Sequence, residues 1–179
     1  WIDWGAQGTR VSGNIVYDMD EWIGWALYIQ SNHGGPILLD NNVITGQIYN
    51  TSRNVIFTHN LFFDCRWYFM VENMASMYWE PHSAKVVEIL PLTHLENDRN
   101  LNNIYIKKGA DQIINAHGYQ IGHNVYYDNA RKGFCGEENS IVSNSFPTAF
   151  SIQSQADGVV VSFLRSEEHT SELQSLSHL

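Results

Sequence analysis

A short phrase recurs along this chain of 179 residues. Gly13-Asn14-Ile15-Val16-Tyr17-Asp18 returns as Asn41-Asn42-Val43-Ile44-Thr45, as His59-Asn60-Leu61-Phe62-Phe63-Asp64, as Asn102-Asn103-Ile104-Tyr105-Ile106 and as His123-Asn124-Val125-Tyr126-Tyr127-Asp128. In each copy an Asn precedes three mostly β-branched or aromatic residues. Such residues favour strands, and Asn tolerates the left-handed conformation of a tight bend leading into them. The Asn-to-Asn steps are 28, 18, 43 and 21 residues. Periods near 20 predict a solenoid, here an all-β right-handed parallel β-helix, with the 43-residue step covering about two rungs.

The rungs are expected over residues 1–135, with Gly, Asn and Asp clusters as turns. Residues 66–100, with Pro81 and Pro91, break the period and read as an inserted loop, where binding residues gather. Within 136–164, Phe150-Ser151-Ile152-Gln153 and Val159-Val160-Val161-Ser162-Phe163 flank Ala156-Asp157-Gly158. That alternation around a Gly-bearing turn predicts a hairpin, the start of a β-sandwich or a cap on the coil. Arg165-Ser166-Glu167-Glu168-His169-Thr170-Ser171-Glu172-Leu173-Gln174-Ser175 resembles a translated sequencing-library adapter. On that reading 165–179 is a non-native tail, and the chain is a fragment from shotgun sequence that begins inside a motif at Trp1.

A net charge of −9 argues against nucleic acid or an anionic membrane as partner, and no apolar run approaches the roughly 20 residues that span a bilayer. Cys65 and Cys135 do not define a disulfide framework and read as small buried hydrophobes. The histidines lack the close spacing of a zinc site, and no dense Asp run suggests calcium, so neither metal nor cofactor is expected. Aromatic residues make up 13% of the chain, enough to supply both a core and flat surfaces for stacking on sugar rings. The sequence leaves compartment and oligomeric state open.

Three segments stand out from the rung background: Trp1 to Arg10, Leu27 to Pro36, and Tyr78-Trp79-Glu80-Pro81-His82-Ser83. Each mixes aromatics with hydrogen-bonding groups. Asp3, flanked by tryptophans, suits either a turn that bonds its own backbone or the nucleophile of a glycosidase. Arg10 could pair with Asp3 or hold a turn. His33 and His82 suit bonds to hydroxyls. Trp1, Trp4, Trp22, Trp25 and Trp79 suit sugar stacking or packing.

Together with Leu39-Asp40-Asn41-Asn42, His59-Asn60-Leu61-Phe62 and Asp98 through Asn103, these segments resemble the β-xylosidases of glycoside hydrolase family 120. The resemblance runs in order over roughly residues 1–130. It implies a right-handed parallel β-helix carrying a β-sandwich, and retaining hydrolysis of xylo-oligosaccharides. It also implies that Asp3 is the nucleophile and that position 30, two before Asn32-His33-Gly34, holds the acid/base. The family has Glu there and this chain has Gln30. A glutamine keeps the shape and a hydrogen bond but cannot exchange the proton. Trp4, His33, His82, Trp79 and Arg10 are the expected substrate contacts.

The 27-residue step from Asp3 to Gln30 is one rung plus a few turn residues, which would set the two on neighbouring strands. Two other readings stand beside the glycosidase: a carbohydrate-binding β-helix without turnover, and a polysaccharide lyase. A lyase needs a base beside the sugar and cations for a uronate, and only Arg10 and Arg66 are near the candidate segments.

Overall fold

The computed structural model describes residues 1–3, 5–17, 19, 24–30, 36–69, 76–80, 85–90, 96–113, 118–133, 136–145, 148–156 and 158–165. Among them the chain is all-β apart from one 3-10 turn, Ala110–Gln112. The strands are β1 (Thr9–Ser12), β2 (Ile15–Val16), β3 (Trp25–Ile29), β4 (Ile37–Asp40), β5 (Val43–Asn50), β6 (Val55–Thr58), β7 (Leu61–Phe69), β8 (Ser76–Trp79), β9 (Val86–Leu90), β10 (Arg99–Leu101), β11 (Ile104–Ile106), β12 (Gln120–Gly122), β13 (Val125–Tyr127), β14 (Ile141–Val142), β15 (Thr148–Gln155) and β16 (Gly158–Arg165). They fall into two compact units, Trp1–Asn144 and Ser145–Leu179.

The first unit is a parallel β-helix. One sheet runs β1-β4-β6-β10-β12 and the other β2-β5-β7-β11-β13-β14, all pairs parallel. Each rung contributes a strand to the first sheet, turns a corner, and contributes a strand to the second. β5 and β7 continue past irregularities in register after Thr45 and Phe63; their far halves pair with each other, and that of β5 pairs on its other side with β3, to form a third face. Gly46, at φ 107, and Asp64, at φ 55, sit at those two irregularities. Parallel pairing continues to β14, beyond residue 135.

The 43-residue step corrects the sequence reading. β6 pairs directly with β10, Phe57 opposite Asn100, and β7 pairs directly with β11, Phe62 opposite Tyr105. Asn60 and Asn103 therefore stand on adjacent rungs, and the step is one rung, not two. The surplus length lies in segment 66–100, where β8 and β9 form an antiparallel hairpin. Its strands satisfy each other's backbone groups, so it needs no place in the parallel stack.

The corner explains the repeated phrase. The left-handed residue is the one before the repeated Asn: Gly13 (φ 69), Asn41 (φ 56), His59 (φ 56), Asn102 (φ 58) and His123 (φ 54). The Asn that follows builds a ladder. Its Oδ1 accepts from the backbone amide of the Asn one rung earlier, Asn14 to Asn42 at 3.0 Å, Asn42 to Asn60 at 3.0 Å, Asn60 to Asn103 at 2.9 Å and Asn103 to Asn124 at 2.8 Å. Its Nδ2 donates back to a carbonyl of that earlier rung, of Val11, Leu39, Phe57 or Asn100. Asn42, Asn60, Asn103 and Asn124 are buried, where an unpaired amide would cost about 1–3 kcal/mol. The ladder ends on Ser140, whose Oγ takes the amide of Asn124 after left-handed Asn139.

Alternation fills the coil. Val55, Phe57, Ile37 and Leu39 point inward from the first sheet, and Ile44, Phe62, Tyr105 and Tyr126 form the facing column. Tyr105 stacks on Phe62 and Tyr126 at centroid distances of 5.1 and 5.0 Å. Cys65 is buried and free, its thiol donating to the carbonyl of Ile44 at 3.1 Å. Cys135 lies outside the described residues.

The second unit holds the antiparallel hairpin β15–β16, paired from Thr148 opposite Arg165 to Gln155 opposite Gly158. Arg165, the first residue of the adapter-like stretch, belongs to β16; residues 166–179 lie outside the described residues.

Candidate active site

The third face brings positions 3 and 30 together. Ile2 and Ile29 form a parallel bridge. The Ile2 amide donates to the Tyr28 carbonyl at 2.8 Å, and the Gln30 amide donates to the Ile2 carbonyl at 3.0 Å. One rung on, Ile29 pairs with Asn50, and the Thr51 amide donates to the Ile29 carbonyl at 3.0 Å. Asp3, Gln30 and Thr51 thus follow one another across three rungs. Neighbouring strands lie about 4.8 Å apart. Ile29 is fully buried and Ile2 packs against the core; side chains alternate along a strand, so Asp3 and Gln30 belong to the outer face. Asp3 is exposed and Gln30 half-buried. The carbonyl of Asp3 also closes a turn by accepting the Ala6 amide at 3.1 Å.

Two residues earlier on the same face runs an aromatic column: Trp1, Tyr28, Tyr49 and Tyr68. Tyr28 and Tyr49 stack at 4.5 Å with planes 8° apart. Trp25 meets Tyr49 edge-on at 4.8 Å and Tyr68 at 5.1 Å, and Trp1 meets Tyr28 at 5.1 Å. The sequence reading had Trp1 and Trp25 but not the tyrosines. Their signal was present: Tyr28, Tyr49 and Tyr68 recur at steps of 21 and 19, one per rung.

Arg10 turns to Asp40. Its Nε and Nη2 donate to the two carboxylate oxygens at 2.8 and 2.6 Å. The guanidinium bond holds the Asp40 carboxyl down to about 2, with Asn41 adding a bond at 2.8 Å. Arg10 stands in β1 opposite Leu38 in β4, so the pair spans adjacent strands.

Trp4, His33 and His82 lie outside the described residues. So does the side chain of Trp79, whose backbone ends β8. Glu80, exposed, closes the β8–β9 hairpin with its amide on the Lys85 carbonyl at 2.9 Å. Trp22 is also outside the described residues. Among those described, no group of three or more His, Cys, Asp or Glu could hold a metal ion.

A buried carboxyl supports the corner beside Thr51. Asp98 accepts from Asn50 Nδ2 at 2.8 Å and from the Val55 amide at 2.8 Å. Asn50 in turn accepts the Ser52 amide at 3.0 Å. Burial pushes the Asp98 carboxyl up to about 8 despite these bonds.

No family model matches the sequence, and no curated protein sequence matches it. A solved structure of XylC in complex with xylose superposes with a TM-score of 0.73 at 23% identity, covering 91% of this chain and 30% of that one. The likeness is one of fold, and the chain spans under a third of the length of XylC.

Proposed function

We propose that this chain carries the β-helical part of a retaining glycoside hydrolase acting on xylo-oligosaccharides, with Asp3 as nucleophile and Gln30 in place of the acid/base. The observation that supports it most is the Ile2–Ile29 bridge. It puts positions 3 and 30 on neighbouring strands, a spacing close to the roughly 5–5.5 Å that separates the two carboxyls of retaining glycosidases. The fold shared with XylC, solved with xylose, supports a xyloside as the sugar.

Asp3 attacks the anomeric carbon and forms a glycosyl-enzyme as the aglycone departs. With Gln30 beside it no proton reaches the departing oxygen, so the aglycone leaves as an anion. Turnover then depends steeply on how stable that anion is. Water meets the same deficit in the second step, because no base takes its proton. Trp1 and Tyr68, the exposed members of the aromatic column, offer flat surface for sugar rings.

The test compares dinitrophenyl β-xyloside, which needs no acid, with phenyl β-xyloside, which does. A burst with the first, slow turnover with the second, acceleration by azide and loss of all three in Asp3→Asn are expected. No reaction of Asp3 with the activated xyloside would overturn the nucleophile assignment.

Gln30 also favours a second reading, a carbohydrate-binding β-helix without turnover. Calorimetry with xylobiose beside the same assay separates them, since binding with no burst belongs to this one. The lyase reading loses its nearest cation, because Arg10 is held by Asp40.

A further inference from the structure

Away from Asp3 and Gln30, the outer side of the first sheet carries an open groove of about 520 Å³. Asn54, Asn97, Arg99 and Gln120 line it, with Ile56 and Pro36. The strand register orders these groups: Arg99 lies between Ile56 of β6 and Gln120 of β12. Among the described residues no Asp or Glu lines the groove.

Gly118 keeps one wall low. A Cβ there would meet Asn97 Oδ1 at 2.4 Å, and its φ of 69 disfavours any side chain. The amide of Asn97 therefore lies across the position a side chain would fill.

Two arginines of the first sheet and its corners are already held by acids, and among the described residues Arg99 is not. Arg10 is held by Asp40 and Arg53 by Glu96. Among the described residues no carboxylate pairs with Arg99, which is exposed. A guanidinium in a groove of neutral amides matches a planar carboxylate, which it binds through two parallel hydrogen bonds. The amides of Asn54, Asn97 and Gln120 both donate and accept, as hydroxyl groups require. Ile56 and Pro36 offer apolar surface to ring C–H groups. The chain's negative charge acts mainly at long range and is screened over about 8 Å at physiological salt.

We propose that this groove binds a uronate, a carboxylate-bearing sugar unit of an oligosaccharide, with Arg99 on the carboxylate and Asn54, Asn97 and Gln120 on the hydroxyls. The choice of a sugar as carrier of the carboxylate rests on the glycosidase reading; the preference for a carboxylate rests on the groove alone.

Titration calorimetry of the protein with xylotetraose bearing one glucuronate branch, against unbranched xylotetraose, tests this. At physiological salt, where the chain's long-range charge is screened, the branched sugar is expected to bind at least tenfold more tightly, and a large excess of salt should reduce the gap. Arg99→Gln should erase the gap and leave the unbranched affinity unchanged. Gln120→Glu, which sets an acid beside Arg99, should weaken only the branched sugar. Both positions are exposed, and an unchanged melting curve checks the fold. Equal affinities in the unaltered protein, or indifference to Arg99→Gln, would overturn the proposal. Competition by acetate as strong as by free glucuronate would overturn the sugar assignment.

Turnover of dinitrophenyl β-xyloside, measured on the same samples, keeps the two readings apart. Arg99→Gln should not change it, and a failure of Asp3→Asn to abolish it would count against the nucleophile, not the groove.

Discussion

Gln30 is tied to the residue before Asp3: its backbone amide donates to the Ile2 carbonyl at 3.0 Å. Position 30 therefore stays in register with position 3 whatever side chain it carries, because the bond is made by backbone. Replacing Gln30 changes chemistry without moving the strand. Gln30→Glu is expected to raise turnover of phenyl β-xyloside by about 10²–10⁴-fold, the usual worth of general acid/base help. It should add a loss of activity at high pH that Gln30 lacks, since the new acid must hold its proton for the first step. A pH–rate profile of both forms checks this, and an unchanged rate would remove position 30 from the mechanism.

The ladder makes a stability prediction. Asn60 accepts from the Asn42 amide and its Nδ2, and donates to Leu39 and Asn103. Asn60→Ala leaves the buried Asn42 amide without its acceptor and removes the bonds to Leu39 and Asn103, and should cost at least about 1–3 kcal/mol. Asn14 is exposed, so Asn14→Ala should cost much less. His59→Gly should be nearly neutral or stabilising, because left-handed backbone at φ 56 favours glycine. Urea midpoints of the three variants give the order.

The coil was legible because one side chain per rung must bond the backbone of the rung before it, and that demand fixes an Asn at each corner. Which residue turns left-handed was not, since Asn suits both that bend and the ladder. The 43-residue step was misjudged because spacing counts residues, not pairings, and a self-paired hairpin is nearly as long as a rung. Asp3 and Gln30 could be set side by side from their spacing. Arg10 and Asp40 could not, because they are not opposite each other: Arg10 stands opposite Leu38 and Ser12 opposite Asp40, and the long guanidinium side chain reaches the carboxylate on the diagonal. The groove at Arg99 draws on described residues of four successive rungs, from Pro36 to Gln120, and has no local signature.

Gly109 marks a close approach between rungs. A Cβ on it would lie 1.9 Å from the Arg131 carbonyl oxygen and 2.3 Å from its amide nitrogen, and the Ala110 amide donates to that carbonyl at 2.9 Å. The contact is with backbone, which cannot swing aside as a side chain can. Gly109→Ala should destabilise by about 1–3 kcal/mol or more. Thermal melting against the unaltered protein measures it, and an unchanged midpoint would show that the 109–131 contact yields freely.

Two carboxyls give the coil opposite responses to pH. Burial raises Asp98 to about 8 from an ordinary 3.8, so the folded chain holds a proton that the unfolded chain releases. Its contribution is full below about pH 4, declines as pH rises, and is lost above about 8. Asp40 is lowered to about 2 by Arg10, so its contribution is present above about pH 4 and lost as pH falls through 2. Stability should therefore fall from pH 4 towards 8 through Asp98 and fall again below 4 through Asp40. Asp98→Asn should flatten the first slope, because its amide has no proton to release. Arg10→Gln should flatten the second while leaving the first in place. Urea midpoints collected from pH 3 to 9 separate the two, and an unaltered slope between 4 and 8 in Asp98→Asn would assign that dependence to another group.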